Sequence, residues 1–156
     1  MCRIFVYAKN AAKVLPFARS WFFGNDYRLL DLVSLLEKKG LHRELFTLLK
    51  EMHGRFPSRD QTAAAYAYAL LTSPLEDLRN ANAAFEISNV AYESSNAVEH
   101  GIILVMALID TGKCADAREL AEKLVERSKS EKRTDLTAKL EFEIRRIWES
   151  KNCGEN

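Results

Sequence analysis

The sequence predicts an all-α fold, a right-handed α–α superhelix of about three helix-turn-helix repeats with terminal half-repeats. Three observations predict it. Apolar residues recur three and four positions apart through most of the chain, which gathers them on single faces of helices. Gly40 and Gly112 each stand between two such runs, 72 residues apart, with Glu76 midway, so the pattern has a 36-residue period. Side chains at fixed offsets from these three positions also match in kind. Leu45, Ala81 and Ala117 lie five residues on, Leu48, Ala84 and Leu120 eight on, and Leu49, Phe85 and Ala121 nine on. Upstream, Leu32, Tyr68 and Leu104 lie eight before, and Leu36, Thr72 and Leu108 four before.

Taken in order, residues 5–22 fall where the second helix of a preceding unit would lie, with Pro16 kinking or ending it. Helices are then expected over 26–39, 42–54, 60–72, 77–94, 97–111, 114–129 and 133–149. Asp26 can cap the first, and Gly40 and Gly112 can take the left-handed conformation that ends a helix. Pro57 breaks the chain between units, and Ser73, Pro74 and Leu75 stop the central helix where no glycine stands. Leu140 and Ile144 lie 36 residues after Leu104 and Leu108, so the last helix reads as half a fourth unit capping the third. The expected organisation is a basic, aromatic N-terminal helix over 1–24, a helical-repeat domain over 25–150 and a disordered tail over 151–156.

Composition narrows the function. With 156 residues, 47% hydrophobic and 29% charged, the chain suits one globular domain. A formal charge of +1 argues against a surface built to grip phosphate backbones. The exception is local: Arg3, Lys9, Lys13 and Arg19 precede the first acid, Asp26, so the opening segment carries +4 and residues 26–156 sum to −3. Basic, acid-free and aromatic, that segment has the composition of a mitochondrial targeting sequence, the alternative to the cytoplasmic location expected here. Cys2, Cys114 and Cys153, an odd number without paired spacing, suit free thiols in a reducing compartment. No apolar stretch reaches the roughly 18 residues of a membrane span, since Lys9, Lys13 and Pro16 interrupt the N-terminal one.

The run Gly112-Lys113-Cys114-Ala115-Asp116-Ala117-Arg118-Glu119-Leu120 resembles the turn and second helix of tetratricopeptide repeats. Leu48-Leu49-Lys50-Glu51-Met52, followed by Pro57 and Thr62, is more similar to a pentatricopeptide repeat. The resemblance covers about residues 26–149 and is loose. Gly101 stands where tetratricopeptide repeats usually carry an aromatic, Ala121 where a bulky ring often packs, and the period exceeds their approximately 34 residues.

The two families imply different partners. The pentatricopeptide resemblance implies RNA read by first-helix residues, here Leu30, Tyr66 and Ile102, paired with Thr62, Val98 and Thr134. Leucine and isoleucine cannot hydrogen-bond a base edge, so modular RNA reading is disfavoured. The tetratricopeptide resemblance implies a peptide or helix held on the inner face of the first helices. That face would present Tyr27, Leu30, Ser34 and Glu37, then Ala63, Tyr66, Leu70 and Ser73, then Glu99, Ile102, Met106 and Ile109, with Asp135, Ala138, Phe142 and Arg145 from the cap. It carries no lysine and asparagine cluster to clamp a C-terminal carboxylate. An apolar strip of Leu30, Tyr66, Leu70, Ile102, Met106 and Phe142 remains, edged by Glu37, Glu99 and Asp135, and it suits the apolar face of a basic helix.

Catalysis is not expected. His42, His53 and His100 are scattered without metal-ligand spacing, and neither a glycine-rich phosphate loop nor a Gly-x-Ser-x-Gly elbow occurs. Glu99 and His100 are adjacent, but neighbours on a helix point about 100° apart. Glu119 with Lys123 reads as surface helix support. The expectation is a non-catalytic protein-interaction scaffold with neither cofactor nor metal. The alternative is an RNA-binding helical-repeat protein using the basic N-terminal segment, where Tyr7, Trp21 or Phe22 would stack on bases. Ten large apolar side chains between Ile4 and Phe23 exceed what one exposed helix carries, so Trp21 and Phe22 are expected to mediate self-association or docking.

Overall fold

The computed structural model describes residues 26–149 and Cys153. Seven α-helices and one 3-10 turn make up the described chain, which contains no strand. They are α1 (Asp26–Lys38), α2 (His42–Arg55), α3 (Asp60–Thr72), the 3-10 turn (Glu76–Leu78), α4 (Ala81–Ser95), α5 (Val98–Asp110), α6 (Cys114–Ser130) and α7 (Thr134–Glu149). Each helix packs against the next in sequence, and α5 also touches both α3 and α7. No described helix is long and apolar enough to cross a membrane.

Three of the connections are built alike. Gly40, at φ +69°, donates its N–H to the Glu37 carbonyl, and Leu41 donates to Leu36. Gly112, at φ +74°, donates to Ile109 while Lys113 donates to Leu108. Lys132, at φ +57°, donates to Lys129 while Arg133 donates to Ser128. This paired bonding satisfies carbonyls that the last helical turn leaves open, and it needs one left-handed residue, as expected for the two glycines. Asn96, at φ +50°, takes the same backbone region at the end of α4, where the short asparagine side chain tolerates it.

The connection between α3 and α4 is different. Residues 73–80 form an eight-residue link, against three residues between α1 and α2 or between α5 and α6. Ser73 Oγ accepts the Leu75 N–H at 3.2 Å, and Arg79 Nε donates to the Ser73 carbonyl at 2.6 Å. The Asn80 N–H reaches back to the Leu70 carbonyl at 3.0 Å, and its side chain accepts the Ala83 N–H at the start of α4. The longer link divides the spacing unequally. Buried Leu32 and Leu36 on α1 correspond to buried Tyr66 and Leu70, 34 positions on. Tyr66, Ala67, Leu70 and Leu71 correspond to Leu104, Val105, Leu108 and Ile109, 38 positions on.

The interior is one apolar layer in two parts. Leu45, Leu48, Leu49 and Met52 of α2 pack with Leu32, Leu36, Tyr66, Leu70 and Ala84. Val98, Ile102, Val105 and Ile109 of α5 pack with Ala117, Ala121, Leu124, Leu136 and Leu140. Met106 and Phe85 border both parts.

The cysteines depart from expectation. Cys114 and Cys153 form a disulfide, with Cα atoms 5.6 Å apart across 39 residues of sequence. The expected free thiols are therefore absent at these two positions, and Cys153 packs half-buried against the second core cluster, while the other residues of the expected tail lie outside the described ones. Sequence separation misled here because α6 and α7 are antiparallel neighbours, which returns the chain end to the start of α6. Cys2 and residues 1–24 lie outside the described residues.

Candidate functional site

An open cleft of about 600 Å³ lies across α3, α5 and α7. Tyr68 comes from α3, Glu99, Ile102, Ile103 and Met106 from α5, and Leu136, Ala138, Lys139, Phe142 and Glu143 from α7. A smaller depression of about 310 Å³ lies between α1, α2 and α3, lined by Glu37, His42, Phe46, Tyr68, Thr72 and Pro74 among others. Tyr68 lines both, so the two hollows adjoin across its ring.

The structure gathers part of the sequence-predicted strip at the cleft and buries Tyr66 and Leu70. Glu99, Ile102, Met106 and Phe142 meet in the large cleft, and Glu37 lines the small one. Tyr66 and Leu70, expected on the strip, are instead core residues at 8% and 3% exposure. The Tyr66 ring stands edge-on to Phe46 with centroids 5.4 Å apart and lies 5.7 Å from His53. Burial pushes the Tyr66 phenol up and the His53 imidazole down, so both remain neutral near pH 7. The side chain of Leu30 and the docking candidates Trp21 and Phe22 lie outside the described residues.

Tyr68, 42% exposed, takes the place assigned to Tyr66, because residues two apart on a helix point about 200° apart. Lys139, Ile103 and Glu143 were also missed. A longer turn before Ala81 was the available signal, since every residue added between α3 and α4 changes the correspondence of the flanking helices. Phe142, 55% exposed, is the other large aromatic surface of the cleft.

Charge at the cleft is arranged in pairs. Arg133 Nη2 donates to Glu99 Oε1 at 2.7 Å, tying the start of α5 to the link before α7. A hydrogen bond from its own backbone, together with Arg133, holds the Glu99 carboxyl below the usual glutamate range despite partial burial. At the opposite end Arg146 bridges two acids, Glu143 at 2.6 Å and Asp110 at 3.5 Å. Burial dominates there and pushes both carboxyls up, against the attraction of the guanidinium. Asp135, expected at the strip's edge, stands 3.8 Å from Arg133.

Among the described residues, the histidines belong to no metal-binding group. His100 Nδ1 lies 2.7 Å from Ser95 Oγ, and that hydroxyl also lies 2.8 Å from the Ala91 carbonyl. A hydroxyl has one proton; given to Ala91, it leaves His100 to donate, the reverse of a base activating a serine. The Ala97 N–H donates to the same oxygen, completing a polar knot between α4 and α5. Among the described residues no three His, Cys, Asp or Glu side chains are grouped to hold a metal. Glu119 and Lys123 pair at 2.5 Å in the open, as their spacing indicated. No family model, curated protein or solved structure matches the chain.

Proposed function

We propose that this chain is a non-catalytic protein-interaction scaffold of the helical-repeat class, resembling tetratricopeptide modules, that holds a partner helix in the cleft of α3, α5 and α7. The observation that carries the reading is the pairing of two exposed aromatics, Tyr68 and Phe142, across an apolar floor of Ile102, Ile103 and Met106. A helix is about 10–12 Å across with its side chains, and anchors at three- and four-residue spacing would meet this succession of apolar surfaces. Lys139 and the Glu99–Arg133 pair at the edge favour a partner carrying both signs of charge.

Two features fit the non-catalytic reading: His100 is hydrogen-bonded to Ser95, and His53 lies against the Tyr66 ring. Cytoplasmic residence belongs to the same proposal. The test is an array of amphipathic helical peptides probed with the full chain. Binding should fall at least tenfold on Met106→Glu and on Tyr68→Ala combined with Phe142→Ala, while Val90→Ala on the exposed side of α4 leaves it unchanged. Peptide binding that survives both cleft changes overturns the reading.

A further inference from the structure

The helix that supplies half the lining of the cleft, α7, is the last in the described chain. It packs on α5 and α6. Its C-terminal half carries Phe142 and Glu143 of the cleft and Arg146 of the bridge to Asp110. Whatever holds that half in place also holds Phe142 and Glu143 at the end of that wall of the cleft.

The Cys114–Cys153 disulfide is placed to do this. Cys114 is the first residue of α6, Cys153 follows the end of α7 by four residues, and the bond closes a loop containing the whole antiparallel pair. Both sulfur-bearing residues sit at the margin of the second core cluster beside Leu120 and Ile144, half-buried rather than enclosed. A small thiol or disulfide can therefore approach them, unlike a cysteine sealed in the interior.

We propose that Cys114–Cys153 is a redox-sensitive clasp that holds the C-terminal half of α7 as a wall of the cleft and releases it on reduction. The inference deepens the binding proposal, since it names the covalent control of that same cleft. Closure by a low-molecular-weight disulfide such as glutathione disulfide proceeds by two exchanges. One cysteine thiolate attacks the disulfide, forming a mixed disulfide and expelling one glutathione thiolate. The second cysteine thiolate attacks the mixed disulfide, forming the clasp and expelling the other. Two electrons pass from the protein sulfurs to glutathione disulfide, and the two protons end on the glutathione thiols. A dithiol reductant reverses both steps. In a compartment rich in reduced glutathione the clasp would form transiently, and in an oxidising one it would persist.

The experiment uses the full chain with Cys2→Ser, so that no third thiol competes. After equilibration with glutathione disulfide, thiol trapping and mass spectrometry should find Cys114 and Cys153 joined within one chain. Hydrogen exchange over residues 140–149 should then accelerate at least about tenfold on adding a phosphine reductant, with residues 45–52 of α2 unchanged. The Cys153→Ser variant should exchange like the reduced protein and ignore the reductant. If that variant fails to fold, the reduced parent protein supplies the same comparison. Free thiols at both positions after oxidation, or equal protection of α7 in both redox states, would overturn the clasp. This readout needs no bound peptide, so the clasp and the peptide-binding proposal fail separately.

Discussion

A Cβ placed on Gly101 would lie 2.6 Å from Leu124 Cδ1 and 2.9 Å from Cδ2, so α5 approaches α6 closely enough that a larger residue requires the Leu124 side chain to shift. Tyr92 Cε2 of α4 is 3.0 Å from the same point. Gly101 thus has a packing reason: the Leu124 side chain and the Tyr92 ring take up the space beside it. Gly101→Ala should gain about 1 kcal/mol of helix propensity and lose about 1–3 kcal/mol to overpacking against buried Leu124. The expected net loss is about 1 kcal/mol by urea denaturation. Combined with Leu124→Ala, its cost should be smaller than in the parent, since the clash is gone.

The three alike turns make a prediction of opposite sign. Lys132 holds at φ +57° the place that Gly40 and Gly112 hold at φ +69° and +74°. A left-handed conformation costs a residue with a Cβ about 1 kcal/mol or more. Lys132→Gly should therefore raise the melting temperature, whereas Gly40→Ala should lower it, although space around the Gly40 Cβ position is open. Thermal unfolding of the two variants compares one backbone effect at two sites, and a loss of stability in Lys132→Gly would contradict it.

The two tyrosines of α3 should differ sharply. Tyr66→Ala empties a buried site beside Phe46 and should cost about 3 kcal/mol or more. Tyr68→Ala, at the cleft surface, should cost under about 1 kcal/mol. Denaturation midpoints at matched slopes decide this, and equal costs would place both rings in the core.

Acid–base behaviour follows from the opposed shifts. Glu143 and Asp110 have raised folded-state pKa values, so between the unfolded value, about 4, and the raised one the folded chain binds more protons. Their contribution is full below that window and is lost as pH rises through it. Glu99, lowered, contributes above its unfolded value and loses that contribution as pH falls through the folded one. Glu143→Gln should flatten the decline of stability on the alkaline side of about pH 4, and Glu99→Gln the decline on the acid side. Denaturation at a series of pH values checks both slopes; an unchanged alkaline slope in Glu143→Gln would count against its buried charge.

All seven described helices were legible in the sequence within a few residues, as were the left-handed glycines at positions 40 and 112. These are local matters: three- and four-residue periodicity and the steric freedom of one residue act within a turn or two of chain. Glu99, Ile102, Met106 and Phe142, placed on one strip from their spacing, all line the large cleft, although residues 102–109 of α5 are apolar throughout and offer no polar face.

The orientation of α3 was decided by tertiary structure. Ala63-Ala64-Ala65-Tyr66-Ala67-Tyr68-Ala69-Leu70-Leu71 is apolar all round and offers no polar face from which to infer the buried one. Only contact with Phe46 and His53 on α2 selects Tyr66 for the interior, which turns Tyr68 into the cleft. The pairing of Cys114 with Cys153 was likewise a matter of tertiary structure. Periodicity records which way a side chain faces on its own helix, whereas a bond across 39 residues depends on how two helices are laid side by side.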